Sequence, residues 1–158
     1  MSAKGQRLLC TAGAAVSVGA VGFALFTQFR LGLEPCAWCV LQRLIYLCIA
    51  AAAIPGMLTG TRLASWFSGL MMTLLALSGV AAAGWHFLVA SKSESCAFTL
   101  ADRIVRGRAL DELLPDVFSA TAPCSQKATL LGVPYELLSL AMFALLAAYS
   151  FWVMRRQR

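Results

Sequence analysis

Residues Leu63 to Ala90 read LASWFSGLMMTLLALSGVAAAGWHFLVA, with no Asp, Glu, Lys or Arg in the run. A helix of that length extends about 40 Å at 1.5 Å per residue, more than the roughly 30 Å of a bilayer's hydrocarbon core. Three further apolar stretches flank it, roughly Leu8–Phe29, Val40–Thr59 and Val133–Met154. Lipid offers backbone groups no partner, so spans of this length must satisfy their own hydrogen bonds as helices. Composition agrees: 60% of the 158 residues are hydrophobic and 13% are charged. A soluble domain carries roughly a quarter charged residues. The expectation is an all-α membrane protein, one domain over residues 1–158, with a four-transmembrane-helix bundle.

The net charge of +6 would raise the question of nucleic acid in a soluble chain. Here the charges sort by loop. Lys4, Arg7, Arg62, Arg155, Arg156 and Arg158 lie at the termini and in the short second loop, with no acid among them. All seven acids, Glu34, Glu94, Asp102, Asp111, Glu112, Asp116 and Glu136, fall on the opposite side or at its boundary, with seven more basic residues on or near that side. Basic short loops mark the cytoplasmic face, so both termini are expected inside and nucleic acid is not an expected partner. The first span follows Lys4 and Arg7 but exceeds the usual apolar core of a signal peptide, and is expected to stay as an anchor. Almost no apolar segment precedes Cys10, which argues against a lipoprotein.

Loop one, Arg30 to Cys39, is short, and loop two, Gly60 to Arg62, is little more than a turn. Pro55 and Gly56 should distort the end of the second helix. Loop three, Ser91 to Gly132, is the one sizeable polar segment and is too short to build a core of its own. Within it Leu110, Leu113, Leu114, Val117 and Phe118 recur at helical spacing, with Asp111, Glu112 and Asp116 between them. The pattern fits a short amphipathic helix in the membrane interface. A segment packed on the bundle is the alternative, which Pro115 supports.

Six cysteines stand at 10, 36, 39, 48, 96 and 124. Cys10 and Cys48 fall inside spans, where cysteine serves as a small apolar side chain. The other four lie in loops one and three. Those loops share one side of a four-span protein whichever way it is inserted. If that side is the periplasm, the thiols should be paired. Four cysteines permit three pairings; the one in which Cys36-Ala37-Trp38-Cys39 closes on itself leaves Cys96 for Cys124. A bridge over about four residues contributes only roughly 2 kcal/mol, against roughly 3.6 over about 28. Cys36–Cys39 is therefore a poor staple, and a Cys-x-x-Cys spacing suits thiol exchange.

Cys39 stands where the second helix starts, so the helix N-terminus favours its thiolate. Arg43 follows on the same helical face, about 6 Å deeper. It can stabilise a thiolate above it or hydrogen-bond a bound carbonyl beside it; the plainer reading is an interfacial anchor whose charge reaches water. His86, the single histidine, lies at the depth of Arg43 and reads on its own as an interfacial or helix-packing residue. A thioredoxin-like domain would need a βαβ pattern, and a zinc ribbon a second close cysteine pair. Neither is present. A non-catalytic membrane scaffold with two structural disulfides explains Cys96–Cys124 but gives Cys36–Cys39 no purpose.

The run Pro35-Cys36-Ala37-Trp38-Cys39-Val40-Leu41-Gln42-Arg43 resembles the signature of the bacterial disulfide bond formation protein B (DsbB) family. The order matches as well, with a second cysteine pair in the long loop after the third span; in vitamin K epoxide reductase-like proteins the loop cysteines come before the Cys-x-x-Cys. Some DsbB members carry an acid where this chain has Gln42. The bacterial periplasm is kept oxidising by a DsbA–DsbB–quinone relay. The resemblance implies an inner-membrane protein-disulfide:quinone oxidoreductase with two periplasmic loops. A periplasmic DsbA-like thiol oxidase would attack Cys96, whose partner would be Cys124. Cys36–Cys39 would reoxidise that pair, and Cys39 would contact a ubiquinone or menaquinone with Arg43 beside it. It also makes His86 a quinone contact, and implies no metal.

Overall fold

The computed structural model describes residues 2–92, 101, 103–104, 112, 114–123, 129–130 and 132–157. Its four long helices are α1 (Ala3–Leu31), α2 (Ala37–Thr59), α3 (Arg62–Leu88) and α5 (Tyr135–Arg155), with a single helical turn, α4 (Pro115–Phe118), before the last. A 3-10 turn, Ala90–Lys92, follows α3, and Thr129–Leu130 pairs antiparallel with Val133–Pro134 ahead of α5. Each long helix contains an apolar window able to cross a membrane. The four spans expected from hydropathy are therefore present, with α2 beginning three residues earlier than its apolar run.

The helix ends follow local chemistry. Ser2 and Thr61 cap α1 and α3 with side-chain oxygens that accept from Gly5 N and Ala64 N. Gly60 ends α2 at φ 61°, a left-handed conformation that suits glycine and lets the chain turn at once into α3. Pro55 does not break α2. The backbone N–H of Gly56 donates instead to Ser68 Oγ of α3 at 3.1 Å, a replacement bond of the kind that lets proline persist in membrane helices.

Lipid supplies no hydrophobic force between helices, so packing relies on small residues and polar contacts. Ala53, Ala76 and Ala83 are fully buried, while Leu58, Leu63, Leu74 and Leu145 face outward. Phe143 is fully buried and stacks on Tyr46 with ring centroids 4.1 Å apart. Gly79 makes room for that ring: a Cβ there would lie 2.3 Å from Phe143 Cδ1. Thr73 Oγ1 donates to Ser150 Oγ at 3.0 Å, joining α3 to α5.

Loop three is tied to the bundle where it is described. Phe118 is buried against Val40 of α2, and the N–H groups of Thr121 and Ala122 donate to Pro35 O at 3.1 and 3.2 Å. The end of the expected amphipathic helix thus packs on α2; its residues 110, 111 and 113 lie outside the described residues.

Candidate functional site

Pro35 is the last residue held by loop three, and the next residue opens the site. Cys36 is the N-cap of α2, and its sulfur accepts from Cys39 N at 3.4 Å. Because the helix starts at Ala37, the cap belongs to Cys36, and Cys39 already lies in the first turn. The two sulfurs are 3.1 Å apart as a thiol pair. The Cys39 thiol beside Cys36 Sγ holds the Cys36 thiol below the ordinary cysteine range; burial opposes this, and His86 adds to it.

The two thiols face different surroundings. Cys39 lines a cavity of about 320 Å³ between α1, α2 and α5, together with Gln42, Arg43, Tyr46 and Tyr135. Phe23, Leu138 and Met142 supply apolar wall, and Glu34 and Pro35 of loop one also border it. Cys36 is not among the lining residues. Its sulfur lies 3.5 Å from His86 Nε2.

Among the described residues Arg43 is the one Lys or Arg on the cavity wall, and it is buried. Its Nη1 donates to Gln28 Oε1 at 2.8 Å and to Val117 O at 3.0 Å, pinning α1 and α4 to α2. Gln42 is held from the other side, its Oε1 accepting from Ser139 Oγ of α5 at 2.5 Å. That leaves Gln42 Nε2 buried with no partner among the described residues. An orphaned amide donor on a mostly apolar wall fits a ligand with a carbonyl acceptor. A quinone has that chemistry, and the residues present suit it.

His86 stands elsewhere. It does not line the cavity but is buried between Cys36 and Glu136, with Nε2 3.9 Å from Glu136 Oε1. The sulfurs of Cys36 and Cys39 and a ring nitrogen of His86 lie within 4.8 Å of one another. Cys96 and Cys124 lie outside the described residues. Cys10 is buried among α1, α2 and α3, and Cys48 is exposed on the surface of α2, both away from the site.

Sequence reasoning missed Glu136, Gln28 and the Gln42–Ser139 bond. Glu136 had a usable signal, an acid in the first turn of an apolar span, where ionisable groups mark function.

The described residues thus place a Cys-x-x-Cys thiol pair at the head of one span of a multi-pass helical protein. A family model described as "Disulfide bond formation protein DsbB" matches residues 6–153. The Disulfide bond formation protein B of Pseudomonas syringae pv. tomato is 38% identical over 137 residues, covering 84% of this chain and 76% of its own. Its namesake from Chromobacterium violaceum is 33% identical over 156 residues, 92% and 90% of the two chains. Disulfide bond formation protein B 1 of Pseudomonas savastanoi pv. phaseolicola is 35% identical over 134 residues, 84% and 79%. The chain belongs to the DsbB family of membrane disulfide bond formation proteins.

Proposed function

We propose that this protein reoxidises a periplasmic DsbA-like dithiol oxidase and delivers the electrons to a membrane quinone. One observation carries the reading. Cys39 lines a largely apolar cavity whose wall carries the unpaired amide donor of Gln42, while Cys36, 3.1 Å away, abuts the residue to which loop three is hydrogen-bonded. A thiol pair placed between an aqueous loop and a lipid-level cavity suits a relay. A structural staple has no use for that placement.

Cys96 takes the donor's attack and Cys124 is its partner; Cys36–Cys39 then restores that pair. Ala122, two residues before Cys124 in sequence, is bonded to Pro35, one residue before Cys36, which supports an exchange between the pairs. Arg43 and the free amide of Gln42 hold a carbonyl-bearing ring in the cavity, against the wall that Cys39 shares. A bound quinone would supply a two-electron, two-proton acceptor. The basic residues Arg7, Arg62, Arg155 and Arg156 gather at the far end with both termini; Arg7 Nη2 donates to Thr59 O and Arg62 Nε to Gln157 O. That arrangement supports a multi-pass inner-membrane orientation with cytoplasmic termini.

Cys39→Ser tests the reading against the scaffold alternative. The variant should fold, since a bridge over about four residues contributes only roughly 2 kcal/mol. Purified, it should give no electron transfer from reduced DsbA-type dithiol to ubiquinone or menaquinone. Retained transfer would sink the relay and leave the scaffold.

A further inference from the structure

Glu136 has no task in the scheme above. It is 4% exposed, in the first turn of α5, and its Oε2 has no hydrogen-bond partner among the described residues. Its one ion-pair contact among those residues is His86 Nε2. His86 is 2% exposed and its Nδ1 is likewise without a partner. A carboxyl removed from water and left half unsatisfied is a poor packing element, and an apolar side chain of similar volume fills such a space at no desolvation cost. The N-terminal end of α5 offsets part of the penalty through its dipole. What the arrangement does achieve is geometric: one ring nitrogen sits 3.5 Å from Cys36 Sγ and 3.9 Å from the carboxylate.

We propose that Glu136 is a positioning residue that acts through His86 to hold the proton exchanged with Cys36 when the Cys36–Cys39 pair opens and closes. This rests on the reading of that pair as redox-active. In the step concerned, the Cys36 S–H bond breaks and an N–H bond forms at His86 Nε2. The electron pair of the S–H bond stays on sulfur as the thiolate. The imidazolium so formed faces the Glu136 carboxylate, and the reverse transfer reprotonates the thiol. No oxidant or reductant enters this step. It occurs on the side of the dithiol away from the cavity, so Cys39 is left to face the cavity. The arrangement shares part of the logic of an activated nucleophile: the base is within reach of the thiol, and a carboxylate stands 3.9 Å from the nitrogen that takes the proton.

Among the described residues, Cys39 and Arg43 of α2 are the other charged or titratable groups that act on Cys36. A test in full-length Cys39→Ser protein removes the first and keeps the second constant. The measurement is the rate of iodoacetamide alkylation at Cys36 from pH 4 to 9, read by peptide mass spectrometry, with and without Glu136→Gln. Losing the carboxylate leaves the imidazolium unsupported, so the alkylation midpoint should rise by about one pH unit, a roughly tenfold slower reaction below the midpoint. Glu136→Asp should recover part of the shift. His86→Gln in the same background should raise the midpoint at least as far, and adding Glu136→Gln to it should change nothing more. That second comparison stands even where the first variant folds poorly alone.

An unchanged midpoint in Glu136→Gln overturns the proposal. So does a lowered one, which is what a bare anion repelling a thiolate would give on removal. A further shift from Glu136→Gln on top of His86→Gln overturns it too, because Glu136 would then act without the histidine. None of these assays needs a quinone or a thiol donor. Their failure is therefore distinct from failure of the relay, which turnover of Cys39→Ser decides.

Discussion

Replacing Arg43 with alanine removes the single Lys or Arg that the described residues place on the cavity wall, and two bonds that hold neighbouring elements. Both bonds are donated by Nη1, to Gln28 Oε1 and Val117 O. Nη2 and Nε make no hydrogen bond among the described residues, so they remain available to a ligand. A hydrogen bond from a charged group contributes about 1.5–3 kcal/mol. At 1.4 kcal/mol per decade, its loss weakens apparent quinone affinity roughly tenfold to somewhat over a hundredfold. Arg43→Lys keeps the charge but loses the planar fork; a single ammonium cannot both hold Gln28 and Val117 and present spare donors, so partial activity is expected. Gln28→Ala separates anchoring from binding, since it removes one tether and leaves the guanidinium in place. Its effect on affinity should stay below about threefold, roughly 0.7 kcal/mol, because the groups that meet the ligand remain. The assay is steady-state turnover against quinone concentration in detergent, with reduced thiol donor saturating. Wild-type quinone saturation in Arg43→Ala would refute the assignment and leave Arg43 as a tether between α1, α2 and α4.

Two further outcomes are expected. Alkylation followed by peptide mapping of untreated protein should show Cys36–Cys39 and Cys96–Cys124 bridges; a dominant Cys39–Cys96 bridge without any thiol donor present would contradict that resting pairing. Gly79→Ala should lower stability by about 1–3 kcal/mol through overpacking, because its Cβ would lie 2.3 Å from the Phe143 ring. Gly84→Ala, which meets nothing within 4 Å, should leave thermal denaturation in detergent unchanged.

The spans and the thiol pair were legible for different reasons. Lipid enforces unbroken apolar runs, so α1, α2, α3 and α5 can be read one residue at a time, and Cys36, Cys39 and Arg43 sit within one helix start. What hydropathy does not encode is the direction each helix faces. That is decided by contacts such as Gly79 under Phe143, which turn α3 and α5 so that His86 and Glu136 meet across 50 positions of sequence. The cap was hidden by chemistry: a thiol at the N-cap of α2 is outside the usual Ser, Thr, Asp and Asn repertoire. The helix therefore starts three residues ahead of the apolar run. Glu136 was hidden because it stands at the boundary of the acid-bearing side, where sign and position say nothing of burial. A loop acid solvates its charge, whereas Glu136 is buried at the head of a span beside the residue that touches Cys36. The same acid that helps to sort the charges of the loops thus sits within reach of the histidine beside the reactive sulfur.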